Sequence, residues 1–480
     1  MITVAAKLAN GGAVSSRISV KGEPRGPLCG MGICFECAVT VDGEPHVRSC
    51  QLLAKPGMLV ETETGQRHSL IGTQRIRPIV GEPRNFDIVI AGAGPAGIAA
   101  AIAARQGGAS VGMVDDNPSA GGQIWRGESN QELRQFVASG AQLLTETRIV
   151  DVPELGILQT EHFQLRYKKL ILATGARELF LPFPGWTLPN VMGAGGLQAM
   201  VKGGLNIIGK RVVIAGSGPL LIAVGASLLK RGAKVVAIVE QASFSNVAMF
   251  GLQLTRQPSK ATQAAQLMWQ LRKVPVYWGS YPVQAEGNGK VERVILNDGR
   301  TLTCDYLACG FGLVPNTGLA SLLGCQLSGE FVKVDNQQST SMQNVFAAGE
   351  LTGIGGLDKS MVEGSIAGFT ASGDFRSAQA LYHERDSLHP FQSELKTRFA
   401  LSTKLFQLAQ SNTIICRCED VTLGQLEDHS SWREAKLHTR CGMGPCQGRV
   451  CGPALALLKG WTNDGVRPPL SPVKATAWLK

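Results

Sequence analysis

The sequence predicts an α/β protein built around two similar strand–turn–helix units, with a small cysteine-rich segment toward each end. Three observations predict this organisation. An apolar strand, a glycine turn, a helix and a second strand ending in an acid occur in this order at residues 86–115 and again at 211–240. Four cysteines lie between residues 29 and 50, and five lie between 416 and 451. The length of 480 residues suits about three or four domains.

The first unit, residues 86–115, is typical of dinucleotide binding. In its turn, Gly92 makes the tight bend, Gly94 lets the backbone approach a pyrophosphate, and Gly97 lets helix and strand pack closely. The helix N-terminus then offers unpaired N–H groups to the phosphates. Asp115, at the end of the second strand, can accept hydrogen bonds from a ribose. We therefore expect a dinucleotide site formed by Gly92, Gly94, Pro95, Ala96, Gly97 and Asp115.

The cysteines indicate metal or redox chemistry rather than a disulfide scaffold. The chain has 12 cysteines, and residues 1–20 have neither the apolar segment of a secretory signal nor an arginine-rich amphipathic face. We therefore expect a reducing compartment, in which closely spaced cysteines hold metals. The predicted location is the cytoplasm, with peripheral attachment at the inner face of the plasma membrane left open. No transmembrane segment is expected.

The first cysteine group has the spacing of plant-type 2Fe-2S proteins, C-x4-C-x2-C with a fourth cysteine further on. Four thiolates complete two tetrahedral irons, and the glycines between them let the loop fold tightly. A structural zinc site is the alternative, although zinc sites usually pair short C-x2-C motifs. The segment resembles small ferredoxin-like domains, and residues 71–84 are interpreted as the linker that follows it. The expected ligands are Cys29, Cys34, Cys37 and Cys50.

The last cysteine group offers five thiols, one more than a 2Fe-2S cluster needs. Cys416 and Cys418 belong to every possible set of four ligands, whereas the second pair of ligands is either Cys441 with Cys446 or Cys446 with Cys451. The segment resembles the bacterioferritin-associated-ferredoxin-like 2Fe-2S domain, whose fused versions carry C-x-C and later G-M-G-x-C-Q-G-x-x-C. That resemblance implies the ligands Cys416, Cys418, Cys446 and Cys451 and leaves Cys441 spare. A zinc ribbon is the alternative.

Three further motifs predict that the dinucleotide is FAD. A glycine-rich loop at residues 117–126 is placed to close over the flavin side, a buried strand ends in A-T-G-A at 173–176, and a strand from 344 leads to an acid. The latter two resemble motifs of flavoproteins with two dinucleotide-binding domains, in which an acid, usually Asp, binds the ribityl chain. The additional residues expected to bind FAD are Gly122, Gln123, Ala173, Thr174, Gly175, Gly349 and Glu350.

The second unit, residues 211–240, copies the layout of the first but has Leu221 at the third glycine position. A leucine there would hold helix and strand apart or press toward a pyrophosphate. A scaffold role, or binding of another adenylate, is therefore favoured over NADH binding. The acid of this unit, Glu240, suits a ribose diol rather than a 2′-phosphate.

Redox-active cysteine pairs of the disulfide-reductase type are missing from these motifs, which excludes thioredoxin-reductase and glutathione-reductase chemistry. The three remaining cysteines have no clustered partners and are interpreted as buried core residues. They are Cys304, Cys309 and Cys325.

The fold class predicted by these motifs is an α/β two-dinucleotide-binding-domain flavoprotein with an N-terminal β-rich ferredoxin-like domain and a C-terminal small helical 2Fe-2S domain. The predicted divisions are residues 1–80 (ferredoxin-like), 85–205 (FAD-binding, first part), 206–325 (inserted Rossmann domain), 326–372 (FAD-binding, second part), 373–410 (helical connector) and 411–480 (C-terminal 2Fe-2S domain).

The charge of the chain agrees with bound anionic cofactors. Its formal net charge is +10 and its pI is about 9.1, yet no long run of basic residues occurs, so nucleic-acid binding is not expected. Two oxidised four-thiolate clusters and an FAD diphosphate would each add about −2. An acidic partner surface is the alternative explanation.

The order of the segments resembles a fusion of the ferredoxin-like and flavoprotein subunits of bacterial amino-acid dehydrogenase complexes. This is the family of hydrogen cyanide synthase, opine oxidase and D-hydroxyproline dehydrogenase, with heterotetrameric sarcosine oxidase as a relative. The resemblance implies an electron-transferring FAD and iron–sulfur subunit of a hetero-oligomer. It implies a separate D-amino-acid-oxidase-like flavoprotein that oxidises a CH–NH or CH–NH2 group, and a quinone or another electron acceptor. An FMN at a subunit interface is left open, and no catalytic residue is assigned in this chain.

FAD accepts two electrons together and each cluster carries one, so an FAD bracketed by two clusters would convert two-electron into one-electron transfer. Two other functions are weighed against this one. In an NADH-dependent reductase, Glu240 would hold the nicotinamide nucleotide, and Leu221 counts against it. In a non-catalytic iron–sulfur carrier or assembly module, the complete FAD unit would be superfluous.

Overall fold

The computed structural model describes residues 2–63, 67–69, 81–462 and 465–473. Within these residues, no helix is long and apolar enough to cross a membrane. Much of the linker predicted at residues 71–84 lies outside them.

The chain divides into two units, each assembled from segments that are distant in sequence. The first consists of Met1–Arg75, Glu178–Gly312 and Glu394–Asp464, and the second of Ile76–Arg177, Leu313–Ser393 and Gly465–Lys480.

The first unit begins with a short helix and an antiparallel sheet in the order β4-β3-β5-β6. Its elements are α1 (Val4–Asn10), β1 (Arg17–Ile18), β2 (Pro24–Arg25), β3 (Ala38–Val41), β4 (Glu44–Arg48), β5 (Leu59–Glu61) and β6 (Arg67–Ser69). Helix α1 was not part of the β-rich prediction for this segment. It forms because the Thr3 side chain caps its first turn, accepting a hydrogen bond from Ala6 N at 3.2 Å, and because Val4 and Leu8 pack on the sheet.

The second unit begins with a parallel strand–helix alternation. Its first elements are β7 (Arg84–Ala91), α2 (Pro95–Gln106), β8 (Val111–Val114), α3 (Gln131–Ser139), β9 (Gln142–Leu144), β10 (Ile149–Glu154), β11 (Ile157–Thr160) and β12 (Gln164–Leu172). Ile88, Val89 and Ile90 of β7 are at most 1% exposed. A strand in the middle of a parallel sheet is covered on both faces, which is why its sequence is continuously apolar.

The inserted segment of the first unit contains the second parallel sheet, in the order β14-β21-β15-β16-β17. Strand β13 (Ala176–Glu178) precedes it. The elements are β14 (Val191–Gly193), α4 (Ala194–Lys202), β15 (Arg211–Gly216), α5 (Leu220–Lys230), β16 (Lys234–Glu240), α6 (Phe244–Leu254), α7 (Pro258–Gln270), β17 (Val276–Trp278), β18 (Pro282–Glu286), β19 (Arg293–Leu296), β20 (Thr301–Thr303) and β21 (Tyr306–Gly310). Strands β18, β19 and β20 form a separate antiparallel sheet.

The second unit then resumes and completes its sheet. The elements are β22 (Leu313–Pro315), α8 (Gly318–Leu322), β23 (Leu327–Ser328), β24 (Phe331–Val332), β25 (Val345–Ala347), a 3₁₀ turn (Gly349–Leu351), α9 (Gly356–Ser372), α10 (Phe375–Ala380) and α11 (Tyr382–Arg398). The sheet order is β10-β11-β12-β7-β8-β9, with β25 also paired to β12. Helix α9 packs very closely on α2, because a Cβ at Gly364 or Gly368 would press against the carbonyl oxygens of Ala96 or Ala100.

The C-terminal segment of the first unit is small and organised around one tryptophan. Its elements are a 3₁₀ turn (Thr403–Gln407), β26 (Ile414–Cys416), β27 (Val421–Thr422), a second 3₁₀ turn (Gly424–Leu426), α12 (Trp432–Thr439) and α13 (Cys451–Lys459). Gly442, Gly448 and Gly452 lie against the Trp432 indole, where a Cβ would come within 3 Å of the ring. The indole Nε1 donates a hydrogen bond to Cys441 O at 3.2 Å. Trp432 therefore holds the loop that carries the last cysteines.

Candidate functional site

The residues predicted to bind FAD converge at one edge of the sheet in the second unit. Strands β7, β8, β12 and β25 run parallel, and their last residues pair in register. The chain therefore leaves the sheet at the same edge four times, into residues 92–97, 115–117, 173–175 and 348–350. Ligands of open parallel sheets bind at this carboxyl edge.

The glycine turn after β7 is closed toward the sheet and open away from it. A Cβ at Gly97 would press against Gly92 O, whereas a Cβ at Gly94 would meet no atom within 4 Å among the described residues. Helix α2 begins at Pro95, immediately behind the turn. The turn therefore leaves space for a phosphate group at a helix N-terminus.

The Asp115 carboxylate stabilises this turn by accepting hydrogen bonds from backbone N–H groups of neighbouring residues. Its Oδ2 accepts a hydrogen bond from Ala93 N at 2.6 Å, and its Oδ1 accepts one from Asn117 N at 2.8 Å. Burial, followed by the charge of Asp116, raises the pKa of the Asp115 carboxyl. The acid that was predicted to face a ribose is thus held beside the turn.

Two predicted FAD residues carry buried oxygens that lack partners among the described residues. These atoms are Gln123 Oε1 and Glu350 Oε2. The other oxygen of Glu350 accepts a hydrogen bond from Gly356 N at 2.9 Å, and burial raises the pKa of this carboxyl. Gly122, beside Gln123, lies close to the turn, since a Cβ there would be 3.0 Å from Gly94 Cα. Unpaired acceptors at the carboxyl edge fit the hydroxyl groups of an FAD.

A buried ion pair that the sequence analysis missed supports Glu350. Lys359 Nζ lies 2.8 Å from Glu363 Oε1, and both side chains are at most 4% exposed. Glu363 Oε2 accepts hydrogen bonds from Gly349 N at 2.9 Å and from Thr352 Oγ1 at 2.6 Å. The signal was present in the sequence as a Lys and a Glu four residues apart on one helix.

The second glycine turn differs from the first because Leu221 is completely buried in the core of the inserted domain. Helix α5 begins only at Leu220. Both carboxylate oxygens of Glu240 accept hydrogen bonds from backbone N–H groups, one from Gly218 N at 2.7 Å and one from Ala242 N at 2.8 Å. Burial raises the pKa of Glu240 to about 7.

A short piece of chain, residues 399–402, lies across this second turn, and we call it the strap. Ser217 Oγ donates a hydrogen bond to Phe399 O at 3.0 Å, and Gln241 Nε2 donates one to Ala400 O at 3.1 Å. The Phe399 ring packs edge-to-face on Phe250, with ring centroids 5.0 Å apart. The strap thus contacts both the glycine turn and the end of β16, where a Rossmann domain receives the ADP half of its ligand.

The four expected ligands of the first cysteine group lie together and are buried. Cys29 Sγ and Cys34 Sγ are 3.3 Å apart, and Cys50 is in side-chain contact with Cys37. Three backbone N–H groups of the loop point at Cys29 Sγ, each at 3.4 Å. Four buried thiols with N–H donors directed at sulfur suit a cluster whose thiolates need such donors.

The last cysteine group brings all five thiols together. The sulfurs of Cys416, Cys441 and Cys451 lie within 4.8 Å of one another. Cys418 contacts Cys416 and Cys446, and these contacts, followed by burial, raise its pKa. The four ligands implied by the resemblance are therefore close together, and Cys441, considered spare, is in the same cluster. Either ligand pairing considered from the sequence is compatible with these positions.

Both cysteine groups lie in the first unit and are connected directly. Glu36 lies between two expected ligands of the first group, and Arg417 lies between two of the last. Arg417 Nε donates to Glu36 Oε1 at 3.0 Å, across 381 residues of sequence. Nothing in the sequence connects these two residues.

Helix α4 presents its N-terminus to the first cysteine loop. A Cβ at Gly30 would meet Gly196 O at 2.6 Å, so the two backbones are in contact. On this turn, Glu178 accepts hydrogen bonds from Gly195 N at 2.7 Å and Gly196 N at 3.0 Å. Complete burial nevertheless raises the pKa of Glu178 to about 7.

The three isolated cysteines are buried free thiols in the described structure. Burial raises the pKa of Cys304 to about 12, and it also raises the pKa values of Cys309 and Cys325. None of them resembles a reactive thiolate.

These features define an FAD-dependent oxidoreductase with an iron–sulfur domain. They are a glycine turn for a dinucleotide at the edge of one parallel sheet, a second Rossmann sheet and a buried loop with four cysteines. The chain belongs to the pyridine nucleotide-disulphide oxidoreductase family, whose model matches residues 86–367. A 2Fe-2S iron-sulfur cluster binding domain matches residues 3–65. The predicted fold class is thereby confirmed, together with FAD and an iron–sulfur cluster as cofactors.

Two curated relatives span most of the chain. An opine oxidase subunit of Rhizobium meliloti is 30% identical over 445 residues, which cover 81% of this chain and 97% of the relative. Hydrogen cyanide synthase subunit HcnB of Pseudomonas aeruginosa is 30% identical over 422 residues, covering 76% and 91%. The resemblance inferred from the motifs is confirmed by these two relatives.

A solved structure shares the fold. The crystal structure of L-proline dehydrogenase from P. horikoshii superimposes with a TM-score of 0.72 at 18% identity, covering 100% of this chain and 94% of that one.

Two glycine substitutions should distinguish the glycine that leaves room for FAD from the glycine that lets helix and strand pack closely. Gly94→Ala should leave the fold unchanged and reduce FAD retention, because the added methyl fills the open side of the turn. Gly97→Ala should lower stability by about 1–3 kcal/mol, because its Cβ meets Gly92 O. Flavin absorbance per chain and thermal melting of the apoprotein measure the two effects. A Gly94→Ala protein that retains full FAD would contradict the assignment of this turn.

Glu178 should make stability depend on pH. Its pKa is raised from 4.5 to about 7 in the folded chain, so the folded state holds a proton that the unfolded state releases in this window. Its stabilising contribution is complete below pH 4.5 and is lost as the pH rises through 7. Urea unfolding of Glu178→Gln should therefore show a weaker loss of stability across this window than the wild type. The exposed control Glu154→Gln should retain the wild-type dependence, and parallel curves for all three proteins would refute the expectation.

Proposed function

We propose that this chain is the electron-transferring FAD and iron–sulfur subunit of a multi-subunit amino-acid dehydrogenase, of the imino-acid, opine or D-hydroxyproline type. Its relatives are subunits by name, one of an opine oxidase and one of a hydrogen cyanide synthase. The partner would be a D-amino-acid-oxidase-like flavoprotein that oxidises the C–N bond. Electrons would pass through this chain to a quinone or another acceptor. Location of the complex at the inner face of the plasma membrane and an FMN at a subunit interface are separate proposals.

The strap is the observation that carries this proposal. An NADH-dependent reductase needs an accessible second nucleotide site, but residues 399–402 contact the turn at Ser217 and the strand end at Gln241. These contacts of the strap support entry of electrons from a partner protein rather than from NADH.

The FAD site fits a role in which the chain receives electrons. When bound there, FAD supplies the step between two-electron and one-electron transfer. Gly94 leaves room for the pyrophosphate, while Gln123 and Glu350 offer the acceptors for its hydroxyl groups. The Lys359–Glu363 pair holds the loop that carries Glu350.

The cysteine groups fit two 2Fe-2S clusters. The first group would use Cys29, Cys34, Cys37 and Cys50, and the second would use Cys416, Cys418, Cys446 and Cys451. Both groups consist of buried thiols, and both receive backbone N–H donors, as from Gly442 N to Cys416 Sγ at 3.4 Å. Such donors compensate the negative charge of thiolate ligands.

An anaerobic titration with NADH tests how electrons enter. We expect no bleaching of the flavin and cluster bands by NADH, followed by full reduction with dithionite, because the strap covers the second turn. Stoichiometric bleaching by NADH would replace the proposal with the reductase function. A purified chain without flavin would instead favour the iron–sulfur carrier.

Iron analysis of cysteine variants tests the second cluster. The wild type should hold about four irons per chain, since each 2Fe-2S cluster contributes two. Cys446→Ser should reduce this to about two, whereas the matched variant Cys441→Ser should retain about four. Loss of iron from Cys441→Ser, with Cys451→Ser unaffected, would show that the other ligand pairing is used.

A further inference from the structure

The two cysteine groups are joined by a buried ionic contact that neither cluster motif requires. Glu36 and Arg417 have side chains only 1% and 2% exposed, and their closest atoms are 3.0 Å apart. Each residue lies one position away from an expected ligand, since Cys37 follows Glu36 and Cys416 and Cys418 flank Arg417. The contact therefore connects the two cysteine groups at residues adjacent to expected ligands.

Further contacts surround the Glu36–Arg417 pair. Arg17 Nε donates to the second oxygen of Glu36 at 3.0 Å, and its guanidinium also donates to Arg417 O at 3.2 Å. A second buried pair joins Arg25 to Asp420, with 2.6 Å between the charged atoms. Two guanidinium groups thus converge on the Glu36 carboxylate, and a third holds the chain beyond Cys418, within a region protected from solvent.

Glu36 is placed to influence both cysteine groups. Its backbone N–H points at Cys34 Sγ at 3.4 Å. Its carboxylate also acts electrostatically on the sulfurs of Cys34 and Cys418. Charges buried this way are poorly screened by salt, and the charge around an iron–sulfur cluster is one of the factors that set its reduction potential. One carboxylate is therefore shared by the surroundings of both groups.

We propose that Glu36 and Arg417 are positioning residues that hold the two iron–sulfur sites next to each other, so that one electron passes directly between them. This inference rests on the proposed function, because it needs a cluster in each cysteine group. In the step, one site is oxidised by one electron and the other is reduced by one. No bond forms or breaks, and no proton has to move. The chain then contains a continuous two-site relay within its first unit.

Low-temperature EPR of the dithionite-reduced full-length protein tests the relay. Each reduced cluster carries one unpaired electron, so full reduction should give about two spins per chain. Because the sites are neighbours, the fully reduced spectrum should be broadened or split by interaction between the spins. The half-reduced protein should lack this splitting.

A potentiometric titration with two matched variants tests the role of Glu36. Glu36→Gln removes the shared negative charge and keeps the side-chain size, so both cluster potentials should rise. Glu419→Gln removes a charge beside Cys418 whose partner is Arg440, 2.8 Å away in its own segment. This control should shift only the second cluster. Glu36→Asp, which retains the charge, should restore potentials close to those of the wild type.

The outcomes separate the two proposals. About one spin and about two irons per chain would overturn the second cluster and this inference together. Two clusters with additive, non-interacting spectra would overturn the inference and leave the proposed function standing. A shift of only one potential in Glu36→Gln would likewise show that the carboxylate is not shared. If Glu36→Gln fails to assemble clusters, the wild-type EPR spectrum still decides.

Discussion

The parallel pairing of β7 with its neighbours is the constraint on which the FAD site depends. Because β7, β8, β12 and β25 are parallel and aligned in register, each following segment leaves the sheet at the same edge. Residues separated by more than 250 positions, such as Gly92 and Glu350, are brought to one place by strand pairing. Burial on both faces keeps these apolar strands inside the sheet, and the hydrogen-bonded pairing of neighbouring strands fixes their alignment.

The inserted domain shows that the same layout does not guarantee the same site. Its strands are also parallel, and Glu240 engages its glycine turn much as Asp115 engages the first. However, Leu221 fills the core where Gly97 permits close contact in the first unit, and the strap lies across the turn. The two Rossmann sheets therefore differ at their ligand edges, since only the second is contacted there by residues 399–402 among the described residues.

Several buried ion pairs lie beside the expected cofactor sites in the described part of the chain. Lys359 with Glu363 supports the loop that carries Glu350, and Arg417 with Glu36 connects the two cysteine loops. Burying an ion costs free energy that a well-formed pair offsets only in part. Such pairs are therefore weak evidence for stability, and here they hold loops in defined positions next to the residues expected to bind the cofactors.

The sequence by itself determined the motifs whose spacing is local. The order of strand, glycine turn, helix and acid identified the first dinucleotide unit, and C-x4-C-x2-C identified the first cysteine group, because these chemistries need their residues within one short loop. Leu221 also indicated that the second unit is altered. The short helix α1, capped by Thr3, was missed because its packing on the sheet decides its conformation.

Only the tertiary structure decided which distant segments meet. The sequence places the FAD fold between the two cysteine groups, whereas in the folded chain Glu36 and Arg417 bring those groups into contact across 381 positions. The strap over Ser217 was also not visible in the sequence. Such contacts depend on how whole elements pack, and the spacing of residues along a chain carries no information about a partner that lies hundreds of residues away.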